Sequence, residues 1–321
     1  MRSKIHNKNT YPIKKHLNDF LNYCEIERGL ASKTQENYAR FLGDFFSWLD
    51  DNNLNSLTAS DIDEDMVWNY RLHLSRGKSS RTKTELKKNT QNLYLIALRS
   101  LLEYFSEKNI NSLPPNKVKL AKDTSDREIN FLNLSQINLL LSSPDSSKTS
   151  GLRDRAILET LFSTGLRVQE LVNLNRDQLR INNDTKDLEV VVVGKGKKIR
   201  TVYFSGRAVS HLNKYLKTRT DMDEALFVNY WKPAQRSGKS RRLTVKSIDE
   251  IAKKYVKIAG LPIITTPHTL RHSFATNLLA KGVDLRLVQE FLGHRNIATT
   301  QIYTHVTKKQ LRDIHRKIHS D

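Results

Sequence analysis

The stretch SLPPNKVKLAKDTSDREIN, residues 112–130, separates two regions whose apolar residues repeat differently, so one helical bundle cannot hold the whole chain. Its two prolines, many charges and weak apolar periodicity fit an extended linker. Before it, IKKHLNDFLNYCEIERGL runs at helical spacing and stops at Gly29. SKTQENYARFLGDFFSWLDD follows, with Ser32 as its expected cap. SDIDEDMVWNYRLHLSRG is headed by Ser60 or Asp61 and closed by Gly77, and KNTQNLYLIALRSLLEYFSEKN supplies a fourth helix. Four such segments predict a small bundle over about residues 10–110.

Beyond the linker the pattern is mixed. LSQINLLLSS and SGLRDRAILETLFSTG read as helices, whereas DLEVVVVGKGKKIRTVYFSG reads as two strands around a glycine-containing turn. GRAVSHLNKYLKTRT returns to helix, and NYWKPAQRSGKSRRLTVKS reads as a basic loop, with or without a short strand. Three closing helices are expected, headed by Thr266 with Pro267 in the first turn, by Asp284 and by Thr299.

With 321 residues the chain is long enough for two cores. Lys and Arg number 54 against 34 Asp and Glu, a balance of +20 that favours polyanions, nucleic acid first and an anionic membrane face second. No apolar run approaches a membrane span and the first twenty residues lack a signal-peptide core, so a cytoplasmic, DNA-associated protein is expected. The single cysteine, Cys24, makes no internal disulfide and is expected to pack in a core.

The polar residues of TPHTLRHSFATNLLAKG admit three readings: packing, a metal or a phosphate. His268 and His272 have zinc-helix spacing, but Leu270 and Arg271 stand between them, so the glutamate of HExxH is missing and a guanidinium would repel the ion. A phosphate suits the mixture better, since helix amides attract an anion, Arg supplies paired donors and His passes a proton. Arg167, after Gly165 at a helix-to-helix corner, reads alone as structural or as a second fixed guanidinium. Lys195 at the hairpin tip reads as a solvated turn or as a proton donor; GKGKK is no nucleotide-binding P-loop. His294 reads as a gap filler and Tyr303 as a half-buried aromatic, or as parts of a site in which cationic groups stabilise a tyrosine's attack on phosphorus.

In order along the chain, TGLRVQEL, VVGKGKKIR, PHTLRHSFATNLLAKG and LGHRNIATTQIYTH resemble the motifs of the tyrosine recombinase, or phage integrase, family, and LASKTQENYARFLGDFFSWL resembles its DNA-binding helix pair. The similarity is to the compact two-domain, Xer-type members. It implies a mainly α protein: a helical core-DNA-binding bundle at 1–112, a linker at 113–127, and a mixed α/β catalytic domain at 128–321, closing as a C-shaped clamp. A C-terminal tail would dock on another protomer or fold back on its own domain.

The resemblance also implies roles. Arg167 and Arg271 would hold the scissile phosphate, Tyr303 would attack it to form a 3'-phosphotyrosyl bond, and Lys195 would protonate the departing 5'-oxygen. His268 would assist proton transfer and His294 would hydrogen-bond the phosphate. No cofactor or metal is implied, because the phosphotyrosyl ester conserves the bond for religation. The implied partners are paired sites on double-stranded DNA, a self-assembled tetramer, and in some settings a second recombinase or a DNA translocase; no membrane is involved. The basic run KPAQRSGKSRRLTVK is a candidate for backbone phosphates or a solvated loop. A type IB topoisomerase and a catalytically silent DNA binder are the rival readings. Chromosome resolution, plasmid resolution and mobile-element integration are all compatible with the motifs.

Overall fold

The computed structural model describes residues 10–77, 85–122, 130–181, 185, 188–194, 196, 198–230 and 240–293. Two compact units make up the chain, Met1–Asp126 and Arg127–Asp321.

The first unit is built from α1 (Leu17–Ile26), α2 (Ser32–Asp51), α3 (Glu64–Arg76) and α4 (Lys88–Glu107). Each helix buries one stripe. Phe20 and Cys24 of α1, Leu42 and Phe45 of α2, Tyr70 of α3 and Leu98, Leu101, Leu102 and Phe105 of α4 share one core. Phe45 meets Tyr70 edge-on with ring centroids 4.8 Å apart, a geometry that ring quadrupoles favour.

Two helix starts differ from the sequence expectation. Ser32 is already inside α2, whose preceding residue is the extended Ala31, and it makes no side-chain cap. Ser60 and Asp61 do not head α3. Instead Asp61 turns back on Thr58, accepting from its amide and hydroxyl at 2.8 Å each, and closes a short 3-10 turn over Ala59–Asp61. After the extended Ile62, Asp63 caps α3 by accepting the Met66 N–H at 2.7 Å, and Glu64 and Asp65 suit the positive end of its dipole.

The second unit is organised around α6 (Thr149–Thr164), in which every residue from Ala156 to Leu161 is buried. A helix covered on all sides is a core element, and α5 (Leu134–Ser142), α8 (Gly206–Leu216) and α10 (Pro267–Ala280) pack around it. The expected hairpin is present: β1 (Leu188–Val193) and β2 (Ile199–Phe204) pair antiparallel, Leu188 opposite Phe204 and Val193 opposite Ile199. Leu188, Val190, Val192, Val202 and Phe204 point into the core, while Glu189 and Val191 stay exposed.

The short α7 (Val168–Asn173) follows α6 at once, α9 (Val245–Ile258) precedes α10, and α11 (Leu285–Leu292) ends the described residues. Thr266 caps α10 with Pro267 in its first turn, and Asp284 caps α11, as their sequences predict. The helix expected after Thr299 and the C-terminal tail lie outside the described residues.

Arg242 of the basic run makes a single bridge with Val228, just before that run, rather than a strand. Arg242 donates to the carbonyls of Val172 (2.7 Å) and Leu174 (3.0 Å), and Arg241 donates to Asn229 O at 3.2 Å. Both arginines serve as internal ties rather than as a solvated row, and Arg242 is the one that holds the end of α7; residues 231–239 lie outside the described set. No described helix is long and apolar enough to cross a membrane.

Candidate active site

Gly165 ends α6 in the left-handed region, at φ +61°, and reverses the chain into α7. A Cβ there would lie 2.6 Å from Cδ1 of Phe274 on α10, so only glycine allows the two helices to approach this closely. The close approach brings Arg271 to the corner. Its side chain, almost fully buried, donates from Nη1 to Gly165 O and from Nη2 to Leu292 O at 2.6 Å.

Arg167, two residues beyond Gly165, is the extended residue just before α7. Its backbone N–H donates to Glu170 Oε2 at 2.9 Å, its Nη1 donates to Glu170 Oε1 at 2.9 Å, and its Nη2 donates to Gly293 O at 3.1 Å. The two arginines therefore grip the consecutive carbonyls of Leu292 and Gly293, where α11 ends. Carbonyls at a helix C-terminus lack intrahelical partners and carry partial negative charge, which draws cations. The side chain of Arg167 is 29% exposed, and only two of its five N–H groups are engaged by described acceptors. A bound anion has donors left to meet.

His268 stands exposed on the first turn of α10. Burial of its inner side lowers its pKa, the positive field of Arg271 adds to that, Asp249 works the other way, and Arg167 adds a smaller lowering. A ring kept neutral near pH 7 accepts a proton as readily as it donates a hydrogen bond. One turn on, at a centroid distance of 6.5 Å, His272 is half-buried and pushed down to about 4 by burial, His268 and Arg271. The site keeps its positive charge on the guanidiniums and leaves the imidazoles uncharged.

Of the sequence-predicted residues, Arg167, His268 and Arg271 are thus brought together from the α6–α7 corner and the head of α10. Lys195, His294 and Tyr303 lie outside the described residues. By sequence, Lys195 follows Gly194, whose amide closes the hairpin turn on Lys198 O at 2.7 Å, and His294 follows Gly293.

Two charged residues at the site carry no role in the motifs. Glu170 is buried and accepts from both Arg167 and Arg200; Arg200 Nη1 reaches Oε1 at 2.9 Å and Nη2 reaches Oε2 at 2.7 Å. Burial alone would raise the carboxyl pKa, but the bonds from Arg200 and Arg167 prevail and hold it down to about 2. The signals were present in the sequence. Glu170 stands three residues past Arg167 at a helix start, and Arg200 occupies the inward face of β2 in register with the buried Val202 and Phe204. A charge on the apolar face of a strand requires a buried partner.

The family model described as "Phage integrase family" matches residues 130–310, and one described as "Phage integrase, N-terminal SAM-like domain" matches residues 17–109. A tyrosine recombinase XerD from Lacticaseibacillus casei is 36% identical over 307 residues, covering 94% of this chain and 97% of the relative. A tyrosine recombinase XerC from Leptospira interrogans is 34% identical, covering 94% and 91%. Among solved structures, the XerH site-specific recombinase bound to palindromic difH substrate in a post-cleavage complex superposes with a TM-score of 0.69 at 27% identity, over 94% of this chain and 84% of that one. The Tn1549 transposon integrase shares the fold, with a TM-score of 0.67 at 17% identity and coverage of 93% and 99%.

Proposed function

The chain belongs to the tyrosine recombinase family, whose enzymes cut and rejoin DNA through a phosphotyrosyl intermediate, and from that premise we propose that it is a site-specific recombinase with Tyr303 as nucleophile. The observation that carries this reading is the convergence of Arg167 and Arg271 on the carbonyls of Leu292 and Gly293, with His268 inside the field of both. Two guanidiniums fixed by their own hydrogen bonds suit the charge that builds on a five-coordinate phosphorus.

In this reading Tyr303 Oη bonds to phosphorus as the bond to the 5'-oxygen breaks. Lys195 supplies the proton that leaves with that oxygen as a hydroxyl, His268 assists proton movement at the nucleophile, and His294 donates to a phosphate oxygen. The reverse attack by a 5'-hydroxyl of another strand restores the diester and releases Tyr303. Bond energy is conserved throughout, so no nucleotide is consumed. Removing one fixed donor is expected to slow cleavage roughly a hundred- to thousandfold.

Full-length similarity to relatives named XerD and XerC supports a Xer-like role, in chromosome or plasmid resolution or in mobile-element integration and excision. Its partners are double-stranded DNA with paired sites, a tetramer of itself on that DNA, and in a Xer setting a second recombinase or a translocase. The segment after Tyr303 is read as a tail that docks on another protomer or folds back on its own domain.

The test takes a site recovered from source genomic DNA by Tyr303-dependent covalent capture and places two copies in direct repeat on a plasmid. Deletion of the intervening segment, requiring both copies and abolished by Tyr303→Phe, is the expected result. Supercoil relaxation with a single copy and no deletion would replace recombination by topoisomerase activity. Binding with no covalent adduct would indicate a silent binder.

A further inference from the structure

We propose that Arg200 is a positioning residue that neutralises Glu170 and so leaves the charge of Arg167 available to the scissile phosphate. The inference rests on the reading of Arg167 as a phosphate ligand. Glu170 accepts four hydrogen bonds: Arg167 Nη1 and Arg200 Nη1 on Oε1, and the Arg167 backbone N–H and Arg200 Nη2 on Oε2. Four is about the capacity of a carboxylate, so the group is saturated. Two guanidiniums and one carboxylate leave a net charge of one. Without Arg200, the buried Glu170 would pair one to one with Arg167 and cancel the cation that the reaction uses.

The environment makes this exchange strong. The side chains of Glu170 and Arg200 are 4% and 12% exposed, so water screens their interaction little, whereas Arg167 at 29% faces the open side. The planar guanidinium of Arg200 engages both carboxylate oxygens at once, which fixes orientation as well as charge. Arg200 is itself held in place. It pairs with Val192 across the hairpin and its Cδ lies where a Cβ on Gly293 would come within 2.9 Å. At the hairpin turn, a Cβ on Gly194 would lie 3.1 Å from Glu170 Oε1 and 3.2 Å from Arg200 Nη1. One side chain therefore touches the segments that lead, in sequence, to Lys195 and to His294, while its charge is spent on the carboxylate under Arg167.

Charge balance predicts an outcome that a purely structural role does not. Single-turnover cleavage is measured at saturating full-length protein on a nicked duplex carrying the captured site, with Kd for the same duplex taken separately and thermal unfolding as the check on folding. Arg200→Gln is expected to slow cleavage about a hundredfold while Kd changes less than about threefold. Adding Glu170→Gln to it removes the uncompensated carboxylate, and the double variant is expected to regain at least about tenfold of that rate. Arg200→Lys keeps the charge on a flexible stem and is expected to retain more than about a tenth of the wild-type rate.

Wild-type cleavage by Arg200→Gln, or a double variant no faster than the single one, would overturn the inference. Should Arg200→Gln fail to fold, a folded Arg200→Lys slowed more than about a hundredfold would overturn it as well. A wild-type protein that forms no Tyr303-dependent adduct would refute the reading of the site itself, and this inference with it; normal wild-type cleavage with an indifferent Arg200 would refute the inference alone.

Discussion

Acidification should destabilise the catalytic unit through one identifiable ring, that of His272. Burial first, and then the positive fields of His268 and Arg271, push its pKa from 6.5 down to about 4. In the unfolded chain the ring protonates near its ordinary value. Between the two values the unfolded state binds a proton that the folded state refuses, so stability falls as pH falls through this window and is unaffected by this ring above it. Each pH unit of full difference corresponds to about 1.4 kcal/mol, so a descent from about pH 7.5 to about pH 4.5 has a ceiling near 2.7 kcal/mol. The ring is half-buried, and solvent screening brings the expected effect to about 2 kcal/mol. His268, also shifted downward, acts in the same direction, so the contribution of His272 is isolated by substitution. Calorimetric scans of the full-length chain and of His272→Gln across this pH range provide the comparison. The melting temperature of the affected transition should fall less in the variant, by roughly 5 °C at the acid end. Parallel pH dependences for the two proteins would refute the reasoning.

Below that window, Glu170 takes over. Its folded pKa of about 2 lies under the ordinary 4.5, so it stabilises the fold above 4.5 and that stabilisation is lost as pH falls towards 2; unfolding of Glu170→Gln should lack this second acid limb. Gly165→Ala should destabilise by about 3 kcal/mol, combining left-handed strain with the collision against Phe274. Gly282→Ala carries the strain alone, since nothing lies within 4 Å of its Cβ, and should be limited to about 1 kcal/mol when both variants are unfolded in urea. Comparable losses at the two glycines would remove the argument that Gly165 permits the close approach of α6 and α10.

Periodicity made most of the architecture legible, because the forces that set it are local. Phe45 and Leu98 fall on apolar stripes, and Val190 and Val202 alternate with exposed neighbours, so the bundle and the hairpin follow from spacing. Helix starts are less legible. Asp61 satisfies Thr58 rather than heading α3, a local contest between two caps that residue type does not decide. The motif residues Arg167, His268 and Arg271 could be picked from the sequence, but their meeting point at the end of α11 is tertiary and has no local signal. Glu170 and Arg200 lie thirty residues apart, and their pairing has no local signal for the same reason. Each looks like surface charge until the inward phase of β2 is taken seriously.

The central claim is tested most directly by isolating the covalent protein–DNA species, digesting both components and identifying the modified peptide by mass spectrometry. A nucleotide joined through its 3'-phosphate to Tyr303, with a free 5'-hydroxyl on the other side of the break, is the predicted result. A 5'-linkage, or attachment at any other residue in a protein that binds and cuts the site, would contradict it.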